Sequence, residues 1–191
     1  KRYPTFNIGD GYRFAPPILH LLYVRFSGDA VKPEILVQSD DDIALRSIIS
    51  SISSIECSKF FSDHLGKSQP DQRIIVTGFQ RFAKSVLAAA MPDIEWSMEY
   101  CPSRESRDSI DIFGKGNGFV VAIELDRNRA DQVAKKFVSR TAILPPTIIY
   151  FISLCYPGTE NMDRSECAKY FSYCSTLSLR MNNHYAGFII G

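Results

Sequence analysis

Three carboxylates lie close together in the middle of the chain: Asp111, Glu124 and Asp126. Two runs of β-branched and aromatic residues carry them, and a Gly-rich segment between the runs predicts a hairpin turn. With a two-residue turn, in which Lys115 faces Gly118, alternation places all three side chains on one face of the hairpin. A turn shifted by a single residue would separate Asp111 from Glu124 and remove the cluster.

Carboxylates crowded in this way repel one another unless a cation lies between them. Their hard oxygens are the ligands that Mg²⁺ or Mn²⁺ prefers. Such an ion can activate water, orient a phosphodiester and stabilise the charge that develops on its oxygens. The residue types therefore point to a divalent-metal site suited to phosphodiester hydrolysis.

The elements around this hairpin follow a recognisable order. From residue 78 the apolar periodicity predicts α, β, β, β, α, β, α, β, with helices at about 78–91, 127–140 and 164–181 and strands at 94–100, 109–113, 119–125, 147–155 and 185–190. The inner face of the second of these helices is predicted from Ala130, Val133, Ala134, Phe137 and Val138. Strand 147–155 is apolar throughout, which suits a strand covered on both faces. The pattern predicts an α/β fold with a mixed central sheet flanked by helices.

The first part of the chain contains short extended runs at 18–26 and 34–37, followed by a helix from Ser39 to about residue 65. Glu56 falls on an otherwise apolar stripe of that helix and is expected to point inward. It would then be a further acid of the site, whereas a buried salt bridge or a rotated, exposed helix face are the structural alternatives. We expect residues 1–77 to pack as strands and a helix on a core formed by 78–191.

Asp111, followed by Glu124-Leu125-Asp126 on two strands joined by a Gly-rich turn, with a helix before and a helix and strand after, resembles the PD-(D/E)xK nuclease superfamily. The resemblance covers about residues 78–155 and implies a restriction-endonuclease-like three-layer sandwich. It implies that Asp111 and Glu124 bind Mg²⁺ or Mn²⁺, with Glu56 as an additional acid from a preceding helix. Asp126 stands where the family usually has a lysine that positions or activates water.

Basic residues flank the carboxylates on both sides. Their functional interpretation is that they contact phosphate groups, and the structural alternative is a charged helix face exposed to solvent. The group comprises Arg104, Arg107, Arg127, Arg129 and Lys136. Lys136 could replace the missing strand lysine, although the many charges of its helix favour a position facing solvent.

The resemblance implies a metal-dependent DNA endonuclease, with a type II restriction enzyme as the first expectation. A homodimer is expected because cutting both strands requires two sites. The alternative is a catalytically inactive nuclease-fold module that binds nucleic acid or protein, and metal affinity at Asp111 and Glu124 separates the two. A third reading, an unrelated α/β protein with these acids on its surface, depends on the hairpin register.

Composition sets wider limits. The chain has 191 residues, of which 45% are hydrophobic, and 22 basic against 21 acidic residues give a net charge of +1, which is typical of one globular domain and excludes collagen and long disorder. The longest apolar stretches, 142–156 and 16–24, are shorter than the roughly 20 residues of a membrane-spanning helix, so no membrane partner is expected. Five irregularly spaced cysteines predict reduced thiols and a cytoplasmic protein.

Overall fold

A computed structural model describes residues 30–102, 108–127, 130–157 and 163–191. The extended run predicted at 18–26 lies outside these residues. The strands are β1 (Pro33–Gln38), β2 (Glu95–Tyr100), β3 (Ile110–Lys115), β4 (Phe119–Asp126), β5 (Ile148–Cys155) and β6 (His184–Ile190). The helices are α1 (Ile43–Ser53), α2 (Ser58–Phe61), α3 (Gln69–Ala90), α4 (Ala130–Ile143) and α5 (Arg164–Arg180).

The six strands of the described residues form one mixed sheet in the order β1-β6-β5-β4-β3-β2. Strands β4, β5 and β6 are parallel neighbours, while β1 with β6, β2 with β3 and β3 with β4 are antiparallel. The predicted α/β class with a mixed sheet is therefore confirmed. The crossover from β4 to β5 runs through α4, which packs against both of these strands.

Apolar cores cover both faces of the sheet. On one face, α1, α2 and α3 pack against inward residues of the strands, including Leu45, Ile52, Phe79, Leu87, Ile123 and Ile152. On the other face α4 and α5 pack against the alternate residues, including Val133, Phe137, Phe171, Ala122 and Phe151. Residues 149–155 of β5 are buried without exception, which confirms the prediction that this strand is covered on both faces.

The β3–β4 hairpin closes with a longer turn than the predicted one. Lys115 pairs with Val120 rather than with Gly118, and Gly118 adopts a φ of 80° that glycine tolerates without steric cost. This displacement of two residues is even, so it leaves the inward and outward alternation unchanged. Asp111 precedes Ile112, the last residue of β3 that pairs with β4, so parity alone does not fix the side on which its carboxylate lies.

The helix predicted from Ser39 to about residue 65 is divided. It begins only after Asp42, whose carboxylate caps α1 by accepting from the backbone N–H groups of Ala44 and Leu45. It ends at Ser53, although Ile55 beyond it is only 1% exposed. Apolar side chains can also reach the core from a non-helical link. The apolar residues that follow α1 therefore continue the helical spacing in the sequence past the end of the helix.

Helix α3 starts nine residues earlier than the sequence pattern indicated, at Gln69 instead of about Gly78. Ser68 is its N-cap and accepts from the backbone N–H of Asp71, and Pro70 lies in the first turn. The first turns are largely exposed and polar, so they carry no apolar periodicity. The expected boundary between residues 77 and 78 falls inside this helix.

Among the residues that the structure describes, none of the helices combines the length and apolar character that crossing a bilayer requires.

Candidate active site

The site forms where the ladder between β3 and β4 opens. The last pair before the opening is Ile112 with Ile123. Beyond it, the Asp111 carboxylate accepts from the backbone N–H of Leu125 at 2.7 Å, and the Lys136 ammonium donates to the Leu125 carbonyl at 2.7 Å. Two side chains thus satisfy the backbone groups that a longer β3 would have paired.

The Lys136 ammonium lies at the centre of the predicted carboxylates. Its Nζ is 3.2 Å from Glu124 Oε2, 3.7 Å from Asp126 Oδ2 and 3.9 Å from Asp111 Oδ2. The three acids named by the spacing therefore come together around one cation. They come from two adjacent strands, and the cation comes from α4.

A second cation, Arg140, holds the other side of Glu124. Its Nε donates to Glu124 Oε1 at 3.2 Å, and its Nη1 lies 2.7 Å from Asp108 Oδ1. Each oxygen of the Glu124 carboxylate therefore has its own cationic partner. This arrangement fixes the orientation of a carboxyl group whose side chain is only 3% exposed.

Two residues that the sequence analysis did not select extend the network. Gln80 of α3, itself only 5% exposed, donates to Asp111 Oδ1 at 3.0 Å and to Glu99 Oε1 at 3.3 Å. Glu99 adopts a φ of 49°, which is uncommon for a residue with a side chain, and it also accepts from Ser109 at 2.9 Å. A polar residue within the buried stripe of α3 was the signal that could have identified Gln80.

Burial dominates the electrostatics of this cluster. It raises the pKa of Glu124 to about 7, and the neighbouring charge of Asp111 adds to the rise. Burial also raises the pKa of Asp111 and of Asp126, although the charge of Lys136 opposes it. For Lys136 burial acts to lower the pKa, but the three carboxylates outweigh it and the pKa lies above its ordinary value. Three carboxylates with two cations leave the cluster able to accept more positive charge.

The donor chemistry of the cluster fits a divalent metal. Asp111, Glu124 and the Leu125 carbonyl supply hard oxygens, and the Lys136 ammonium already stands where a cation contacts all of them. The described residues contain no group of three or more His, Cys, Asp or Glu side chains already drawn together to hold a metal. Mg²⁺ binds oxygen at about 2.0–2.1 Å, so the distances from these oxygens to the Lys136 Nζ are those of an ammonium ion.

The structure does not bring Glu56 to this cluster. The expectation that it lies on the inward stripe of a helix is wrong, because α1 ends before it. Its carboxylate instead accepts from the Ser58 hydroxyl at 2.5 Å and from the Ser58 backbone N–H at 2.8 Å, at the start of α2, where the free N–H groups of a helix favour an acid. These contacts lower its pKa, and among its described contacts none is with the three clustered acids.

The basic residues that the structure describes lie in different surroundings. Lys136 does not face solvent, contrary to expectation: it lies with Arg140 on the side of α4 that faces the sheet, whereas Val138, predicted to be inward, is 54% exposed. Arg127 donates to Gln72 of α3 at 2.9 Å. The remaining three, Arg104, Arg107 and Arg129, lie outside the described residues.

Comparisons of the chain with protein-family models, with curated proteins and with solved structures find no match.

Proposed function

We propose that the chain is a metal-dependent endonuclease of the PD-(D/E)xK type that hydrolyses phosphodiester bonds in DNA. The observation that carries this proposal is the convergence of Asp111, Glu124 and Asp126, from two adjacent strands, around a single cation. The sheet arrangement supports it: α3, three antiparallel strands, α4 and a parallel strand follow the order that the resemblance implies.

In this proposal Asp111 and Glu124 hold Mg²⁺ or Mn²⁺, with the Leu125 carbonyl beside them. The ion would supply a Lewis acid for the phosphate and a water of lowered pKa. Gln80 and the Leu125 N–H orient the Asp111 carboxylate through hydrogen bonds of 3.0 and 2.7 Å, and Arg140 orients Glu124. Side chains fixed in this way keep their oxygens directed at one point.

Asp126 occupies the strand position of the usual lysine, and Lys136 brings an ammonium to the same place from α4, 3.7 Å from the Asp126 carboxylate. The site therefore has a lysine, supplied by the helix instead of the strand. Its charge can attract a phosphate oxygen or hold a water molecule by hydrogen bonding. In the metal-free protein Asp126, at 8% exposure, keeps that lysine charged and directed inward.

DNA is the proposed partner, and a homodimer is proposed for cutting both strands. Arg127, at the end of β4 next to Asp126, is the described residue offered for phosphate contact, together with the three arginines outside the described ranges. A type II restriction enzyme is the first form of this proposal.

A second candidate is a module without catalysis that binds nucleic acid or protein. One observation favours it: the Lys136 ammonium fills the space between the carboxylates, so the cluster also resembles a closed ion-pair network. Such a module would bind no divalent metal at this position.

Incubation of the wild-type protein with supercoiled plasmid tests the proposal. Mg²⁺ or Mn²⁺ is expected to convert the plasmid to nicked and linear forms, and EDTA is expected to stop the reaction. Single-stranded DNA and RNA serve as parallel substrates, and discrete fragments from linear duplex would identify a restriction enzyme. A folded protein that cleaves none of these substrates with either metal would refute the proposal and favour the binding module.

A further inference from the structure

We propose that the Lys136 ammonium occupies the divalent-cation position of the metal-free protein, and that a metal ion binds only by displacing it. The inference rests on the proposed function, because it concerns how that metal site is filled. It makes Lys136 a resident counter-ion, tethered to α4, which the metal must replace.

The contacts of Lys136 carry the first step. Its Nζ meets four oxygens: the Leu125 carbonyl at 2.7 Å and the carboxylates of Glu124, Asp126 and Asp111 at 3.2, 3.7 and 3.9 Å. They include at least one oxygen from every residue that the proposed metal site offers as a ligand. An ammonium and a divalent ion cannot share them, because both need the same lone pairs and their charges repel.

The spacing of these oxygens carries the second step. Contacts of 2.7 to 3.9 Å suit an N–H donor and its ion-pair partners, whereas Mg²⁺ requires oxygens at about 2.0–2.1 Å. The ammonium thus keeps the carboxylate oxygens farther apart than a bound Mg²⁺ would. This explains why the described acids converge on one point and yet form no ready metal cage.

The two cations differ in exposure and in the way they are held, and this carries the third step. Lys136 reaches the site on a flexible four-carbon stem and its side chain is 28% exposed, so it can leave toward solvent without movement of α4. Arg140 is 14% exposed and is held by both Glu124 and Asp108. Lys136 is therefore the cation that exchanges, while Arg140 remains and keeps Glu124 in place.

Calorimetric titration with Mn²⁺ at fixed pH tests the inference with four proteins: wild type, Lys136→Met, Lys136→Gln and Lys135→Met. Methionine and glutamine remove the ammonium while keeping an extended side chain. Lys135 is the matched control, since it lies on the same helix and is exposed. The Lys136 variants are expected to bind Mn²⁺ about tenfold or more tightly than wild type, because a competing charge is gone, while Lys135→Met should bind like wild type.

Thermal unfolding provides a second readout that needs no enzymatic activity. In EDTA the Lys136 variants should melt below wild type, and saturating Mn²⁺ should raise their melting temperature by more than it raises that of wild type. Equal or weaker Mn²⁺ binding by both Lys136 variants would overturn the inference while leaving the proposed metal site intact. Absence of Mn²⁺ binding in all four proteins would instead overturn the proposed function, and this inference with it.

Discussion

The Asp111→Asn variant is expected to lose the metal-dependent cleavage of DNA by about 100-fold or more. Removal of one preorganised charge from a buried catalytic site has an effect of that order. One oxygen of the Asp111 carboxylate accepts from the Gln80 side-chain amide, and the other accepts from the Leu125 N–H. Asparagine keeps one acceptor and the same shape, so the variant should fold while its affinity for the metal falls.

Cleavage rates of wild type and Asp111→Asn, measured at several Mn²⁺ concentrations, provide the comparison. Asp93→Asn is the matched control, because Asp93 is exposed in the turn before β2 and has the same side chain. The control should cleave as wild type does. Wild-type cleavage by Asp111→Asn would show that the activity comes from elsewhere in the chain or from a contaminant.

The second large effect concerns stability and pH. Burial raises the pKa of Glu124 from an ordinary 4.5 to about 7. Between these two values the unfolded chain has lost the Glu124 proton that the folded chain still binds, so the free energy of unfolding falls as pH rises through this range. Below about pH 4.5 the glutamate is protonated in both states and makes no difference. Above about pH 7 the full penalty is present.

Glu124→Gln mimics the protonated acid and removes this penalty. In EDTA at pH 8 the variant is expected to be more stable than wild type by about 3 kcal/mol, and the difference should shrink toward zero by about pH 4.5. Urea unfolding across this pH range measures it, with the exposed Glu95→Gln on β2 as the control. A difference that does not change with pH, or a more stable wild type at pH 8, would contradict the electrostatic description of the site.

The shared face of Glu124 and Asp126 could be predicted from the sequence because it depends only on alternation along one strand. Alternation along β4 puts Glu124 and Asp126 on one face, and the longer turn displaced the pairing by an even number of residues. The exact register could not be predicted, since a Gly-rich segment permits turns of several lengths. The opening of the ladder after Ile112 could not be predicted either, and it is there that the Asp111 carboxylate accepts from the Leu125 N–H.

The inward position of Lys136 and Arg140 could not be read from apolar periodicity. They lie one helical turn apart, beside the buried Val133 and Phe137. Judged by hydrophobic periodicity, such cations belong to the polar face of a helix. Their burial is favourable only because the carboxylates of β3 and β4 lie opposite them. The prediction that Glu56 lies on the inward face of a helix was wrong for a related reason. Apolar residues after α1 continue a helical spacing that the backbone no longer follows.

Anomalous X-ray scattering from crystals of the wild-type protein grown with Mn²⁺ tests the central claim most directly, namely that this carboxylate cluster is a divalent-metal site. The predicted result is a manganese peak between the carboxylates of Asp111 and Glu124, with the Lys136 ammonium moved away from them. Crystals without a peak there, with Lys136 still in contact with all three acids as it is now, would contradict the claim.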